Sequence, residues 1–194
     1  MKEIVVIDSS LMRGKKPDIE PLYKGLGVIA GGAIRRWFTG EPQNSDIDIF
    51  AFNESSLELI NQAYNSRYKG INTGNAITYN GNIQVIRVLT GTVAELFDKF
   101  DFAHCCFAYD GELIYTTPKA IISSLRKHLM INNLNPLFAM DSLRRMFKYQ
   151  RQGYTPCNGT LIDISLAIQS LTSEQIVNQV IISPGGGKRI LRID

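Results

Sequence analysis

Apolar positions along the first two thirds of the chain switch between short runs of two-residue period, as in strands, and longer stretches with helical spacing. EIVVI, residues 3 to 7, reads as a short strand rich in β-branched side chains. SSLMRGKKPDIEP reads as a loop with room for a helical turn. In DIEPLYKGLG, Pro21 limits any helix to about two turns. Gly27 to Ala30 is a predicted strand, and Ala33 to Phe38 a helix that Gly40 stops. Asp46 to Phe52 is a second strand with Ile47 and Ile49 toward a core. Ser55 to Asn65 has helical spacing, with Leu57, Ile60 and Ala63 or Tyr64 inward and Ser55 or Ser56 as cap. NAITYNGNIQVIRV predicts a hairpin turning at Asn80-Gly81, and FAHCCFAYDGELIYTT another at Asp110-Gly111. Between them lies a short helix, Thr92 to Lys99, capped by Thr90 or Thr92. Pro118 starts a helix to about Lys127, and Pro136 starts one that reaches Gln152 and stops at Gly153. Residues 160 to 170 and 173 to 181 are predicted helices as well. Mixed elements followed by helices alone predict an α+β fold. Residues 1–134 would form a head with a mixed β-sheet and flanking helices, and residues 135–194 a small helical region packed on it.

Composition adds modest limits. Hydrophobic residues at 44% and charged residues at 20% match a globular chain with a real core. A net charge of +3 permits nucleic-acid contact without arguing for it, since dedicated binders carry a denser basic patch. Three cysteines make no even disulfide framework, so a reducing, cytoplasmic compartment is expected. No apolar run reaches membrane-spanning length, and the apolar stretch in MKEIVVIDSS is too short for a signal peptide.

The candidate chemistry sits in residues 31 to 50, GGAIRRWFTGEPQNSDIDIF. Alternation on a strand turns Asp46 and Asp48 to one side, with Cα atoms about 7 Å apart. Carboxylates so placed can hold divalent ions roughly 4 Å apart, the arrangement that moves phosphoryl groups. Gly31 and Gly32 let the backbone approach a phosphate, and the helix that follows offers its first amides to an anion. Arg35, one turn into that helix, can reach a triphosphate, whereas Arg36 faces another side. Arg87 shares a strand face with Ile83 and Val85 and calls for a phosphate or carboxylate partner. His104, Cys105 and Cys106 suggest a metal cluster, but strand alternation splits them and no second cluster supplies ligands, so they read as core. GGGK at 185 to 188 lacks the spacing and the following Ser or Thr of a phosphate loop. Lys188, Arg189 and Arg192 read as a solvated tail.

The glycine pair, Arg35, Gly40 and the Asp46-x-Asp48 pair resemble the nucleotidyltransferase superfamily of DNA polymerase beta. The likeness is to the head domain of poly(A) polymerases and CCA-adding tRNA nucleotidyltransferases. Arg36 stands where that family usually has Asp, and the loop before Asp46 is about one residue longer. Downstream, Asp101, Phe102, Ala108, Tyr109 and Asp110 fall on a second family motif, with Lys99 keeping one of its two basic residues. Asp141, Leu143, Arg144 and the Gly153-Tyr154 stop fall on a third. The resemblance covers roughly residues 26 to 154. It implies a metal-dependent transfer of a nucleoside monophosphate from a triphosphate, ATP or CTP, to a hydroxyl, most simply an RNA 3′ end. Asp46 and Asp48 would hold two Mg²⁺ ions, with Mn²⁺ as the alternative, and Asp101 would serve metal or ribose. Gly31, Gly32 and Arg35 would cradle phosphates. Tyr109 or a nearby aromatic would stack on the base, and Asp141 and Arg144 would contact the nucleotide. The family's base-reading Glu-Asp-x-x-Arg has no full counterpart, and no long helical tRNA-gripping body follows the head. Transfer to a small molecule or protein, and a silent nucleotide- or RNA-binding module, are the alternatives.

Overall fold

The computed structural model describes residues 3–175. Residues 176–194 lie outside it, and with them most of the predicted helix 173 to 181, the GGGK run, Lys188, Arg189 and Arg192.

Two strands buried on both faces carry the architecture. β2 (Gly27–Ala30) and β3 (Ile47–Ala51) pair antiparallel at the centre of an eight-stranded sheet. On one side of β2 follow β7 (Phe107–Tyr109), β8 (Leu113–Thr116) and, at the edge, β1 (Val5–Asp8). On the far side of β3 follow β6 (Ile83–Ile86), β5 (Ala76–Tyr79) and the two-residue β4 (Ile71–Asn72). Only the β3–β6 pair is parallel, which makes the sheet mixed. A parallel pair needs a crossover, and α2 (Glu54–Asn65) begins it. The β5–β6 register pairs Tyr79 with Ile83, so the turn spans residues 80–82, with Asn80 and Gly81 at φ 48° and 81° in the left-handed region that Asn-Gly favours.

α1 (Gly32–Thr39), α3 (Val93–Phe97) and α4 (Pro118–Arg126) accompany this sheet. Thr92 and Glu95 form a reciprocal cap on α3, and Thr117 with Pro118 opens α4. β9 (His128–Leu129) pairs with β10 (Thr155–Pro156), and α5 (Ala139–Gln150) and α6 (Asn158–Gln169) lie around that pair. The main core gathers around Ile29, Ile34, Ile49, Ile60 and Phe107. A second cluster of Phe102, Leu129, Met146, Tyr154 and Ile164 packs α5 and α6 against β9 and the chain at Phe102.

Several expectations change. The stretch before β2 forms turns, with Leu26 and Gly27 both donating to the Tyr23 carbonyl, and no helix. Asn53, ahead of the expected serines, caps α2 by accepting from the Ser56 amide. α5 starts three residues late, because Asn135 caps a separate 3₁₀ turn at Pro136–Phe138. The largest change lies at Ala103–Cys105, which is a 3₁₀ turn where a strand was expected. Ala103 donates to the Met130 carbonyl and Phe102 bridges to Ile131, so these residues pair outside the main sheet.

Candidate functional site

Antiparallel register brings the glycine pair and the carboxylates together. Ala30 at the end of β2 faces Asp48 in β3, and the chain turns at Gly31 into α1. Gly31 has φ 85° and ψ −136°, a conformation open only to glycine. Its amide donates to the Phe107 carbonyl at 2.8 Å. Gly31 therefore shapes the turn and does not offer its N–H to a ligand. Gly32 opens α1, where first-turn amides lack helical partners, and it lines the pocket. Gly31→Ala is expected to destabilise the fold by about 2 kcal/mol through backbone strain alone, since a methyl there meets no atom within 4 Å. In Gly32→Ala the new methyl would sit at an ordinary 3.7 Å from Ser45 Oγ. That variant should keep wild-type stability, so denaturant midpoints of the pair separate strain from space.

The pocket beside this turn has a volume of about 260 Å³. Asp46, Asp48, Asn44 and Ser45 form one wall, Gly32, Arg35 and Arg36 a second, and His104, Cys105, Lys148, Tyr149 and Gln152 the third. Asp46 is exposed and precedes β3 by one residue, while Asp48 is half-buried within it. Burial and then the charge of Asp46 push the Asp48 carboxyl up to about 6, against a smaller pull from Lys148. His104 is buried, edge-on to Tyr149 and tilted against Tyr154, with ring centroids 4.2 and 4.5 Å away. Burial, then the charges of Arg35 and Lys127, hold its pKa well below the usual histidine value, so the ring is neutral. Cys105 shares a 3.2 Å hydrogen bond with the Tyr149 hydroxyl, and burial pushes its thiol up to about 11.

Both arginines of α1 are buried, contrary to the expectation that Arg36 turns away. Arg35 is 2% exposed and lies over the Tyr154 ring at 5.1 Å. Glu41 accepts from Arg35 at 3.4 Å and from Arg36 at 3.5 Å. Among the described residues seven buried side-chain nitrogen or oxygen atoms have no hydrogen-bond partner. Five of them, Arg35 Nε and Nη1, Arg36 Nε, Ser45 Oγ and His104 Nδ1, belong to residues that line this pocket.

Five of the expected site residues stand elsewhere. Asp101 does not line the pocket: its Oδ2 accepts from Arg145 Nε at 2.7 Å and its Oδ1 from the Phe102 amide. Arg87 falls just past β6, is exposed, and donates to Asn72 Oδ1 at 3.0 Å. Tyr109 is core: it packs edge-on against Trp37 at 5.1 Å and donates to the Gly111 carbonyl. Asp141 and the exposed Arg144 pair with each other at 3.5 Å on α5. Arg145, Lys148 and Tyr149, spaced i, i+3, i+4, lie along one side of α5, where Arg145 meets Asp101 and the other two line the pocket, and Gln152 joins them from two residues past the helix end. The sequence reading missed Ser45, Lys148, Tyr149 and Gln152. Ser45 was findable as the hydroxyl next to Asp46. His104 and Cys105 were noticed but assigned to the core.

The profile of the Gabija anti-defense 2 family matches residues 7–127. A protein named Gabija anti-defense 2, from Bacillus phage SPbetaL7, is 28% identical over 161 residues, which is 79% of this chain and 40% of the relative. The chain thus spans about two fifths of the length of that curated relative. A Thermotoga maritima CCA-adding enzyme complexed with tRNA superposes with a TM-score of 0.56 at 17% identity, over 80% of this chain and 42% of that one. A CCA-adding enzyme complexed with ATP gives 0.58 at 14% identity, over 81% and 43%. At such identities the likeness shows the fold, a nucleotidyltransferase head. The profile match runs from β1 to the end of α4, more than half of the chain, and on that ground the chain belongs to the Gabija anti-defense 2 family.

Proposed function

We propose that this chain is a metal-dependent nucleotidyltransferase whose activity serves the anti-defense role for which its phage relative is named. The supporting observation is the grouping of five unpartnered buried polar atoms around the pocket that holds both carboxylates. Each such atom costs about 1–3 kcal/mol when left without a partner. Three of the five are guanidinium N–H groups, which only donate, so the occupant that fits is rich in acceptor oxygens. A triphosphate is such an occupant.

The carboxylates fit a hard divalent cation. Asp46 and Asp48 are oxygen donors on one wall, and the proximity that raises the Asp48 pKa is relieved by positive charge. Among the described residues no cluster of three His, Cys, Asp or Glu side chains forms, so water and phosphate oxygens would complete the coordination, as Mg²⁺ favours. Bound there, Mg²⁺ or Mn²⁺ would acidify the acceptor hydroxyl and neutralise triphosphate charge. The chain's own groups do the rest. The Gly32 amide, Ser45 Oγ, Arg35 and Arg36 donate to phosphate oxygens, which favours charge developing on the departing pyrophosphate. Lys148 adds a further positive charge across the pocket. His104 and Tyr149 close the third wall against water.

An RNA 3′ hydroxyl is the leading acceptor, by analogy with the tRNA held by one structural neighbour. The test incubates the protein with each labelled triphosphate, Mg²⁺ and a panel of RNA, protein and small-molecule acceptors. Label should pass to an acceptor with release of pyrophosphate, and Asp46→Asn should lower the rate by about a thousandfold. Triphosphate binding with no transfer to any acceptor would instead support the silent binding module.

A further inference from the structure

We propose that Glu41, assisted by Lys127, is a positioning group that holds the Arg35 guanidinium in the pocket wall for a phosphate, with two of its N–H groups left unpaired. This role rests on the nucleotide reading given above, and it falls to residues that do not themselves line the pocket.

Arg35 Nη2 is spent on long contacts, to Glu41 Oε2 at 3.4 Å and Gln152 Oε1 at 3.5 Å. The planar group lies against Tyr154, while Nε and Nη1 have no partner. A guanidinium held on one edge and one face keeps its remaining donors in fixed directions, where charge-assisted bonds to phosphate oxygens can form. Glu41 supplies the edge. Its Oε2 takes both arginines and its Oε1 takes Lys127 Nζ. One carboxylate therefore meets three cations, leaving two surplus positive charges in a cluster largely shielded from water. Such a surplus is costly unless an anion completes it.

Lys127 gives an independent sign. It caps α4 in the left-handed conformation, φ 54° and ψ 33°, where glycine is at ease and lysine is not. Among the described residues Asn80 is the only other non-glycine at positive φ, and asparagine tolerates it. Strain of this kind persists where a side chain is needed. Here the lysine Nζ reaches Glu41 and lies 4.7 Å from the Tyr154 ring centre, against the ring that also supports Arg35.

The experiment measures binding of ATP with Mg²⁺, and of inorganic tripolyphosphate, to the full chain by calorimetry. Glu41→Gln adds net positive charge, so electrostatics alone would tighten anion binding, whereas loss of the clamp weakens it by about tenfold. Glu41→Asp, which keeps the carboxylate, should recover part of that loss. The double variant Glu41→Gln/Lys127→Gly restores net charge and relieves the backbone strain, so it remains informative if the single variant fails to fold. It too should bind about tenfold more weakly. In turnover, KM should rise while kcat stays within about threefold, the mark of lost ground-state contacts. Wild-type-like binding by Glu41→Gln or by the double variant overturns the positioning role alone. Failure of the wild type to bind either probe overturns it together with the nucleotide reading.

Discussion

Asp48→Asn is expected to yield a protein that melts at a higher temperature than the wild type in metal-free buffer at pH 7.5, yet transfers nucleotide about a thousandfold more slowly or not at all. Both effects come from one carboxyl. Its pKa in the fold is about 6, raised by burial and by Asp46 from the ordinary aspartate value of 3.8. A raised native pKa means the folded chain holds this proton more tightly than the unfolded chain. The resulting stabilisation is complete below about pH 4 and is lost as pH rises through about 6. That rise corresponds to about 3 kcal/mol of penalty at neutral pH. Asparagine cannot ionise, so the variant should regain most of it, about 5–10 °C in Tm, with a flatter stability profile between pH 4 and 6. Saturating Mg²⁺ at about 100 times its Kd should stabilise the wild type by about 2.7 kcal/mol and the variant far less. A variant that melts below the wild type in EDTA would show that the ionised Asp48 is not a burden on the fold.

The part of this site that was legible in the sequence is the part built by adjacent residues. Strand alternation put Ile47 and Ile49 inside and left Asp48 facing the pocket, and the structure keeps that arrangement. Asn80-Gly81 and Asp110-Gly111 turn hairpins because their preferences are local, and Thr92 and Pro118 mark helix starts for the same reason. The third wall was not legible because long-range packing decides it. HCC reads as strand by neighbourhood, yet Ala103 bonds to Met130 and Phe102 enters the second core, which winds the chain into a 3₁₀ turn. That turn is what brings His104 and Cys105 to the pocket together, a pairing that strand alternation forbids.

The inward side of α5 was not legible for the same reason. Arg144, Arg145, Lys148 and Arg151 spread positive charge around much of the helix, so charge could not say which side faces in. Contacts of Leu143, Met146 and Tyr149 with the second core decide it, leaving Arg144 exposed and turning Lys148 to the pocket, where its charge acts on Asp48. Asp101, an attractive third carboxylate by motif, is taken up by Arg145 from this same helix. Arg36 followed a similar course. It stands where the resembled family carries Asp, and the missing negative charge is met by Glu41 five residues later.

Arg35→Met should separate the cost of the pocket from its use as sharply as Asp48→Asn does. A buried guanidinium with two unpartnered N–H groups is a poor contributor to stability, and an apolar side chain of similar length removes the desolvation penalty. Glu41 is not orphaned, since Arg36 and Lys127 remain on its two oxygens. Thermal stability should therefore be unchanged or higher by up to about 2 kcal/mol. Binding of ATP with Mg²⁺ should fall by about a hundredfold, the loss of two charge-assisted donors worth about 1.5–3 kcal/mol each, partly offset by rearrangement. Arg87→Met serves as the control. Arg87 is exposed and bonded to Asn72, away from the pocket, so calorimetry should find its affinity within about twofold of wild type. Equal losses at the two positions would mean that ATP responds to the protein's overall charge and that the buried arginine has no privileged place in holding it.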